Sequence, residues 1–372
     1  MRTKVAIGMC FALLWIGQLR ATEPSFSELG FLQGFDSANN PMSMTDNGDA
    51  VLGWSISVDS ARAPYLWQRG IGISPLSNLI TGPIDDIAMS GDGASIFVAH
   101  GTTVSRWTQA SGQTPLFDSP VPAYAVQLSG SSSDGRTLAG QLYSDGGPGM
   151  PARVRAFAWR DGTGLQIIDD GFVIRGVSPD GNFLAGHRVV DANNALNDAI
   201  RRSIVGVETV VTDDFPFADA TALSQDGLAV IGTSHSSGFY WTSTSLETPI
   251  GMLPMQSDAT SPLDISSDGS IVVGYAEGAP QGAFIWDASN GIRSIYQILL
   301  DEGVDVSQYT LGPARFVSAG GDTIVGTAPN GIGGEYAWVA TIVPEPSAIM
   351  LAASLGIILL PVAWRWSRRG SR

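Results

Sequence analysis

The sequence Ile265-Ser266-Ser267-Asp268-Gly269-Ser270-Ile271-Val272-Val273-Gly274, followed after a polar gap by Ala283-Phe284-Ile285-Trp286, decides the fold. Apolar, β-branched residues on either side of Ser-x-Asp-Gly read as strand, hairpin turn, strand. Asp and Gly are expected to supply the positive backbone angles that such turns need. The downstream Phe284-Ile285-Trp286 reads as a third strand, and alternation places its two aromatics on one face.

Anchored on the turn glycine, the pattern recurs at Gly48, Gly93, Gly135, Gly181, Gly227, Gly269 and Gly321, at spacings of 45, 42, 46, 46, 42 and 52 residues. Aspartate precedes the glycine at Asp92, Asp134, Asp180, Asp226 and Asp268. Five residues beyond each anchor stands a second glycine, at Gly53, Gly140, Gly186, Gly232, Gly274 and Gly326, with Val98 the exception. The third strand carries Trp67, Trp107, Trp159, Trp241, Trp286 and Trp338, and all but Trp107 follow an aromatic two residues earlier. A fourth strand is visible in Leu165 to Ile168 and in Glu247 to Leu253. Four strands in about 45 residues make one propeller blade, so the expected fold is an all-β, seven-bladed β-propeller. The tryptophans are then expected as packing between blades rather than as a ligand platform. The copy anchored at Gly181 has Ala199-Ile200-Arg201-Arg202 in place of the aromatic pair, which predicts looser packing there.

Phe26 to Gly48 aligns without a gap on Glu247 to Gly269, so the body enters partway through a unit, with a fourth-strand segment. The last copy stops after Tyr336-Ala337-Trp338 with no fourth strand of its own. Pairing the two closes the ring and removes both exposed edges. Two stretches depart from the template. Ser144 to Pro151 is rich in Gly and Pro and reads as a surface loop, and Ser294 to Gly303 reads as a short amphipathic helix.

The ends differ from the body. Residues 1–21 have a basic start (Arg2, Lys4), an apolar run and a small residue at Ala21, the pattern of a secretory signal peptide. Residues 343–372 contain Pro344-Glu345-Pro346, an apolar run from Ile349 to Trp364, and a basic end with Arg365, Arg368 and Arg369. As a helix that run is about 24 Å long, against a hydrocarbon core of about 30 Å. Trp364 and the arginines suit a membrane interface, with the basic end cytoplasmic and the body outside. Residues 22–342 remain as the repeat domain.

This tail resembles the PEP-CTERM sorting signal of bacteria, in which a Pro-Glu-Pro motif precedes a short apolar helix and a basic terminus. The resemblance implies processing by an exosortase, transient anchoring through the helix, and a final place at the outer surface or in the extracellular matrix. The repeat resembles the HAF family of extracellular repeats, on Ser266, Asp268, Gly269, Gly274, Phe284 and Trp286. It implies a fold and a location but no catalytic residue. Ser178-Pro179-Asp180-Gly181 is similar to the turn of TolB-type propeller repeats.

Residues 22–342 hold 13 basic and 34 acidic residues and no lysine, a formal charge of −21. Such a body repels nucleic acid and anionic lipid. Cys10, the one cysteine, lies in the leader, so the body has no thiol for catalysis, metal or disulfide. His100, His187 and His235 sit out of register in different copies and are expected at the surface or in turns rather than on a shared metal. The acidic pairs Asp85-Asp86, Asp169-Asp170 and Asp213-Asp214 lack calcium-loop spacing and are expected as solvated faces. No cofactor is expected; Ca²⁺ is the one ion these carboxylates would suit. Gly232-Thr-Ser-His-Ser236 approaches an esterase elbow but ends in Ser. The expected function is a non-enzymatic, surface-sorted binding or structural component of the envelope or exopolysaccharide matrix, with a glycan or protein partner. The alternative is a secreted glycan hydrolase or lyase built from carboxylates of distant blades, which leave no linear motif.

Overall fold

In each copy the turn is organised by its first hydroxyl. Ser90, Ser132, Ser178, Ser224 and Ser266 each donate to the aspartate two residues on, at 2.6–2.9 Å. The same oxygens accept the backbone N–H five residues on, at 2.9–3.0 Å. Thr45 with Asn47 and Ser318 with Asp322 make the equivalent bonds in the outlying copies. The turn glycines all take φ between 64° and 79°, where a Cβ is strained. The aspartates do not share that conformation: the residue before the glycine acts through its side chain, not through a positive φ. That corrects the expectation for the Asp.

The computed structural model describes residues 23–342 apart from 121–124, 145–152, 169–170, 192–195, 236, 257–258, 280 and 332. The signal-peptide and sorting-tail residues, and residues 145–151 of the expected loop, lie outside the described residues. Seven four-stranded antiparallel sheets follow one another around the chain. The body is a seven-bladed β-propeller. Six blades are sequential in the chain; the seventh joins Ala314–Val317, Thr323–Pro329 and Glu335–Thr341 to the N-terminal Ser25–Glu28. Ser25 pairs with Thr341 and Glu28 with Trp338, which closes the ring as the two incomplete ends require.

A ring of backbone bonds ties the turns together. Asp46 N donates to Gly91 O, Asp92 N to Ser133 O, Ser133 N to Pro179 O, Asp180 N to Gln225 O, Gln225 N to Ser267 O, Ser267 N to Ala319 O, and Ala319 N back to Asp46 O, all at 2.7–3.2 Å. Pro179 has no N–H, and Asp180 supplies the donor for that blade. Within each blade, therefore, the inner strand runs toward this turn face, the second returns, the third runs down again and the fourth ends at the opposite, loop face.

The second glycine of each copy has a packing cause. A Cβ on Gly140, Gly186, Gly232 or Gly274 would lie 1.9–2.2 Å from a carbonyl oxygen of the inner strand. On the other side the ring of Phe157, Phe239 or Phe284 sits against Gly140, Gly232 or Gly274. The inner strand carries one extra, bulged residue opposite the glycine: Met42, Ser129, Arg175, Thr221, Leu263 or Arg315. Blade two lacks all three features together. Val98 faces Ile87 without a bulge, and Ser105 replaces the ring on the third strand.

Buried apolar side chains fall into one cluster per blade junction among the described residues. Phe157 and Trp159 pack on Phe97 and Val104 of the preceding blade, and Tyr65 and Trp67 on Val325 and Val339. Trp286 and Trp338 are buried, while Trp107 and Trp241 are partly buried. Blade four does not show the looser packing expected of it. Ile200 takes the ring position opposite Gly186 and is fully buried, and Arg202, opposite Leu184, is held by Glu208 and lies over Phe172. The strand expected to reach Leu253 ends at Pro249, and Leu253 instead packs into the junction between blades five and six. The insertion forms a helix, Ile295–Asp301, capped by Ser294 and burying Ile295 and Leu299.

Candidate functional site: the axial cavity

The inner strands enclose an axial cavity of about 220 Å³. Its floor is the ring of turns, through Asp46, Gly91, Ser133, Pro179, Ser267 and Ala319. Higher on the wall stand the bulged residues Met42, Ser129, Arg175, Thr221 and Leu263, because a bulge turns its extra side chain out of the ladder. Four of these five are uncharged. Arg175 is the departure, and it is half-exposed, so its guanidinium is reached from solvent.

Arg175 is held rather than free to swing. Its Nε donates to Asp219 Oδ2 of blade five at 2.7 Å. Among the described residues no acceptor meets its terminal Nη nitrogens. His187 Nδ1 lies 3.0 Å from the other oxygen of Asp219, but out of line, so both atoms are buried without a hydrogen bond. A buried pair of polar atoms left unsatisfied in this way calls for an explanation. Ser133 Oγ on the floor is also buried and unpartnered. Arg315 occupies the equivalent bulge in blade seven, with a buried, unpartnered Nε, but it does not line the cavity.

Two carboxylates reach the wall, Asp46 and Asp264. Asp264 accepts from Ile265 N at 2.9 Å and from Val317 N of the next blade at 2.8 Å. Burial pushes its carboxyl up to about 7, against the pull of those two N–H groups, and Asp46 adds a further upward push. An acid that binds its proton more tightly when folded loses stability as pH rises between its unfolded and folded values. The stability of the body is therefore expected to fall from about pH 4 to about pH 7, with the loss complete above that. Asp264→Asn removes the titration but cannot accept from both amides. Urea midpoints should show the variant less stable than the parent at pH 5 and the gap narrowing by pH 8; a constant gap would sink this assignment.

The residues expected as candidates are scattered. His100 pairs with Asp85 at 3.0 Å on the exposed loop face of blade two, and His235 takes a φ of 49° at the end of a blade-five strand. His187 corrects the expectation of surface or turn histidines, since it lies buried in a strand at the junction of blades four and five. Asp86 corrects that of a solvated pair: it is partly buried and accepts from Leu128 N of blade three at 2.8 Å, and burial raises its carboxyl. Asp169-Asp170 and the side chains of Asp213-Asp214 lie outside the described residues. The turn aspartates bond within their own turns. Among the described residues no three His, Cys, Asp or Glu converge on a metal position, and no helix is long and apolar enough to cross a membrane. A wider hollow of about 530 Å³ lies against the helix, lined by Leu253, Met255, Ile292, Tyr296 and Ile298. Its lining also holds Arg293, bonded to Asp287 at 2.7 Å, and Gln297, whose Nε2 donates to Asp301 Oδ1 at 2.8 Å.

Comparisons reach the fold. No protein-family model matches the chain, and no curated protein matches it. Among solved structures it is similar to a hydrazine synthase from Kuenenia stuttgartiensis, at 13% identity and a TM-score of 0.50, over 85% of this chain and 100% of that one. It is also similar to the β-propeller domain of Cps50 (Swd1) from Myceliophteria thermophila, at 11% identity and 0.49, over 82% and 100%. TolB from Acinetobacter baumannii gives 14% identity and 0.44 over 65% of this chain, and the chain spans 62% of that protein's length. At such identities the likeness is one of architecture alone.

Proposed function

We propose that the protein is an exported, surface-sorted, non-enzymatic β-propeller that binds a glycan or protein of the envelope or exopolysaccharide matrix. The observation that carries this reading is where the ends of the body lie. Ser25 and Thr341 are ladder partners at the turn face of blade seven, so the leader and the sorting tail join the ring side by side. The loop face then points away from the attachment. Among the described residues that face carries all four non-glycine residues of positive φ, Ser60, Phe217, His235 and Met255, and strained backbone of this kind gathers at ligand-binding loops. The repeat's own serines and aspartates are used up in its turns.

The second reading, a glycan hydrolase or lyase, draws on Asp46 and Asp264 sharing one cavity. Against it, both oxygens of Asp264 are occupied by backbone amides. Screening residues 22–342 against a polysaccharide panel separates the two: retention without released oligosaccharide is expected. Product release abolished by Asp46→Asn or Asp264→Asn would establish the enzyme instead.

A further inference from the structure

The cavity's contents narrow the ligand, on the footing of the binding role proposed above. Its volume of about 220 Å³ lies below the roughly 300–1,000 Å³ of pockets for drug-sized ligands, so it admits one small ring rather than a chain. Ser43, Ser129, Ser131, Thr221 and Ser267 line the wall; Ser129, Ser131 and Thr221 give their protons to protein acceptors, so to a ligand they offer acceptor lone pairs. Between them Met42, Met89, Leu263 and Phe316 supply apolar patches. A polar wall with interspersed apolar faces matches a ligand that carries hydroxyls around a ring of C–H groups.

Arg175 gives that ligand an orientation. Asp219 fixes the guanidinium through Nε, leaving the two Nη nitrogens as a preorganised pair of donors at the open end of the cavity. Two parallel donors suit either a carboxylate or a pair of neighbouring hydroxyls. The surroundings choose between them. Asp46 lies on this wall and Asp219 bonds Arg175 beside it, and the body carries a formal −21, so an added anion meets a repulsive field. Neutral hydroxyls do not.

We propose that the axial cavity binds one neutral hexose unit, at the end of an uncharged glycan, with Arg175 Nη nitrogens donating to two adjacent ring hydroxyls. Asp219 is a positioning residue, with its second oxygen 3.0 Å from His187 Nδ1. The unit enters from the loop face, the side turned away from the chain ends.

The test uses residues 22–342 and free glucose, galactose and mannose, followed in the parent by nuclear magnetic resonance of the arginine Nε–H groups and in every variant by titration of the sugar's own resonances in saturation-transfer spectra. At least one hexose is expected to shift the Arg175 resonance saturably below about 100 mM, a limit that corresponds to only about 1.4 kcal/mol of binding. Arg175→Gln should weaken that binding at least tenfold, with circular dichroism at the binding temperature showing the folded propeller retained. Arg136→Gln, on an exposed turn, should leave it alone. Asp219→Asn should weaken binding too, with Arg175 still present but no longer aimed. Failure of all three hexoses to shift Arg175, or equal affinity in Arg175→Gln, overturns the proposal. So does tighter binding of galacturonate than of galactose, which would assign the site to an acidic sugar. The matrix-binding reading stands or falls separately, on retention by polysaccharide at any other surface.

Discussion

Deleting residues 24–35 is expected to lower the melting temperature of the body by more than about 10 °C and to make it self-associate. The deletion removes Ser25–Glu28 from the seventh sheet, leaving the strand Glu335–Thr341 with an unpaired edge. It also takes away Leu29 and Leu32, which are buried between blades seven and one, and the bond from Leu29 N to Ala337 O at 2.9 Å. Phe26 goes as well, 4.7 Å from Tyr309 and 5.9 Å from Trp338 between ring centroids. Full burial contributes roughly 1.5–3 kcal/mol each for Leu29 and Leu32, and the partly buried Phe26, Phe31 and Phe35 add smaller shares, so the total loss is about 5–9 kcal/mol. For a body of this size about 2 °C accompanies each kcal/mol. Scanning calorimetry with light scattering reads both effects. A synthetic peptide of residues 24–35 in excess should restore the melt and suppress association, because the binding slot is otherwise intact. A truncated body that melts with the parent would mean that the ring does not depend on its closing strand.

The closure was legible because a propeller blade is a repeat, and a repeat exposes what its ends lack. Phe26 to Gly48 could be laid on Glu247 to Gly269 residue for residue, and the missing fourth strand of the last copy was then a matter of counting. Local chemistry was legible for the same reason: seven glycines in one register demand one backbone conformation. What the pattern hid was whatever differs between copies. Arg175 sits at the bulge where other blades carry Met42, Ser129, Thr221 or Leu263, and alignment of the copies shows a charge there in two of them, Arg175 and Arg315, without telling which one reaches the cavity. Its meaning depends on Asp219 and His187, which lie in another blade and another strand, and no spacing rule connects them. His187 is buried by its neighbours, not by its own sequence. In blade four a missing aromatic pair does not mean missing volume, because Ile200, Arg202 and Phe172 rebuild the contact across strands, and that compensation has no local signature.

Gly274→Ala is expected to destabilise the body by about 3 kcal/mol, near the upper range of core overpacking, and to lower its melting temperature by about 6 °C. The backbone of Gly274 is not in a glycine-only conformation, so the effect is one of space. An added Cβ would stand 2.2 Å from Ser261 O and 2.8 Å from Pro262 Cα on the bulged inner strand, and 2.7 Å from Phe284 Cζ on the third. Backbone on one side and a fully buried ring on the other leave no flexible side chain to give way. The inner strand would have to move toward the axis, and it carries Asp264, whose bond to Val317 N holds the next blade. Gly320→Ala is the control. Its nearest atom would be Asp322 Oδ1 at 3.8 Å and its φ is ordinary, so a change within about 0.5 kcal/mol is expected. Blade two shows the other solution to the same constraint: with Val98 in the glycine's place, the bulge and the opposing aromatic are absent together. A double variant, Gly274→Ala with Phe284→Ser, should therefore recover none of the loss from the Ser261 carbonyl while relieving the ring contact. With Phe284→Ser alone as the fourth corner of the cycle, the coupling free energy from urea midpoints measures the share of the strain that lies in the ring contact. Zero coupling would place all of it on the bulged strand.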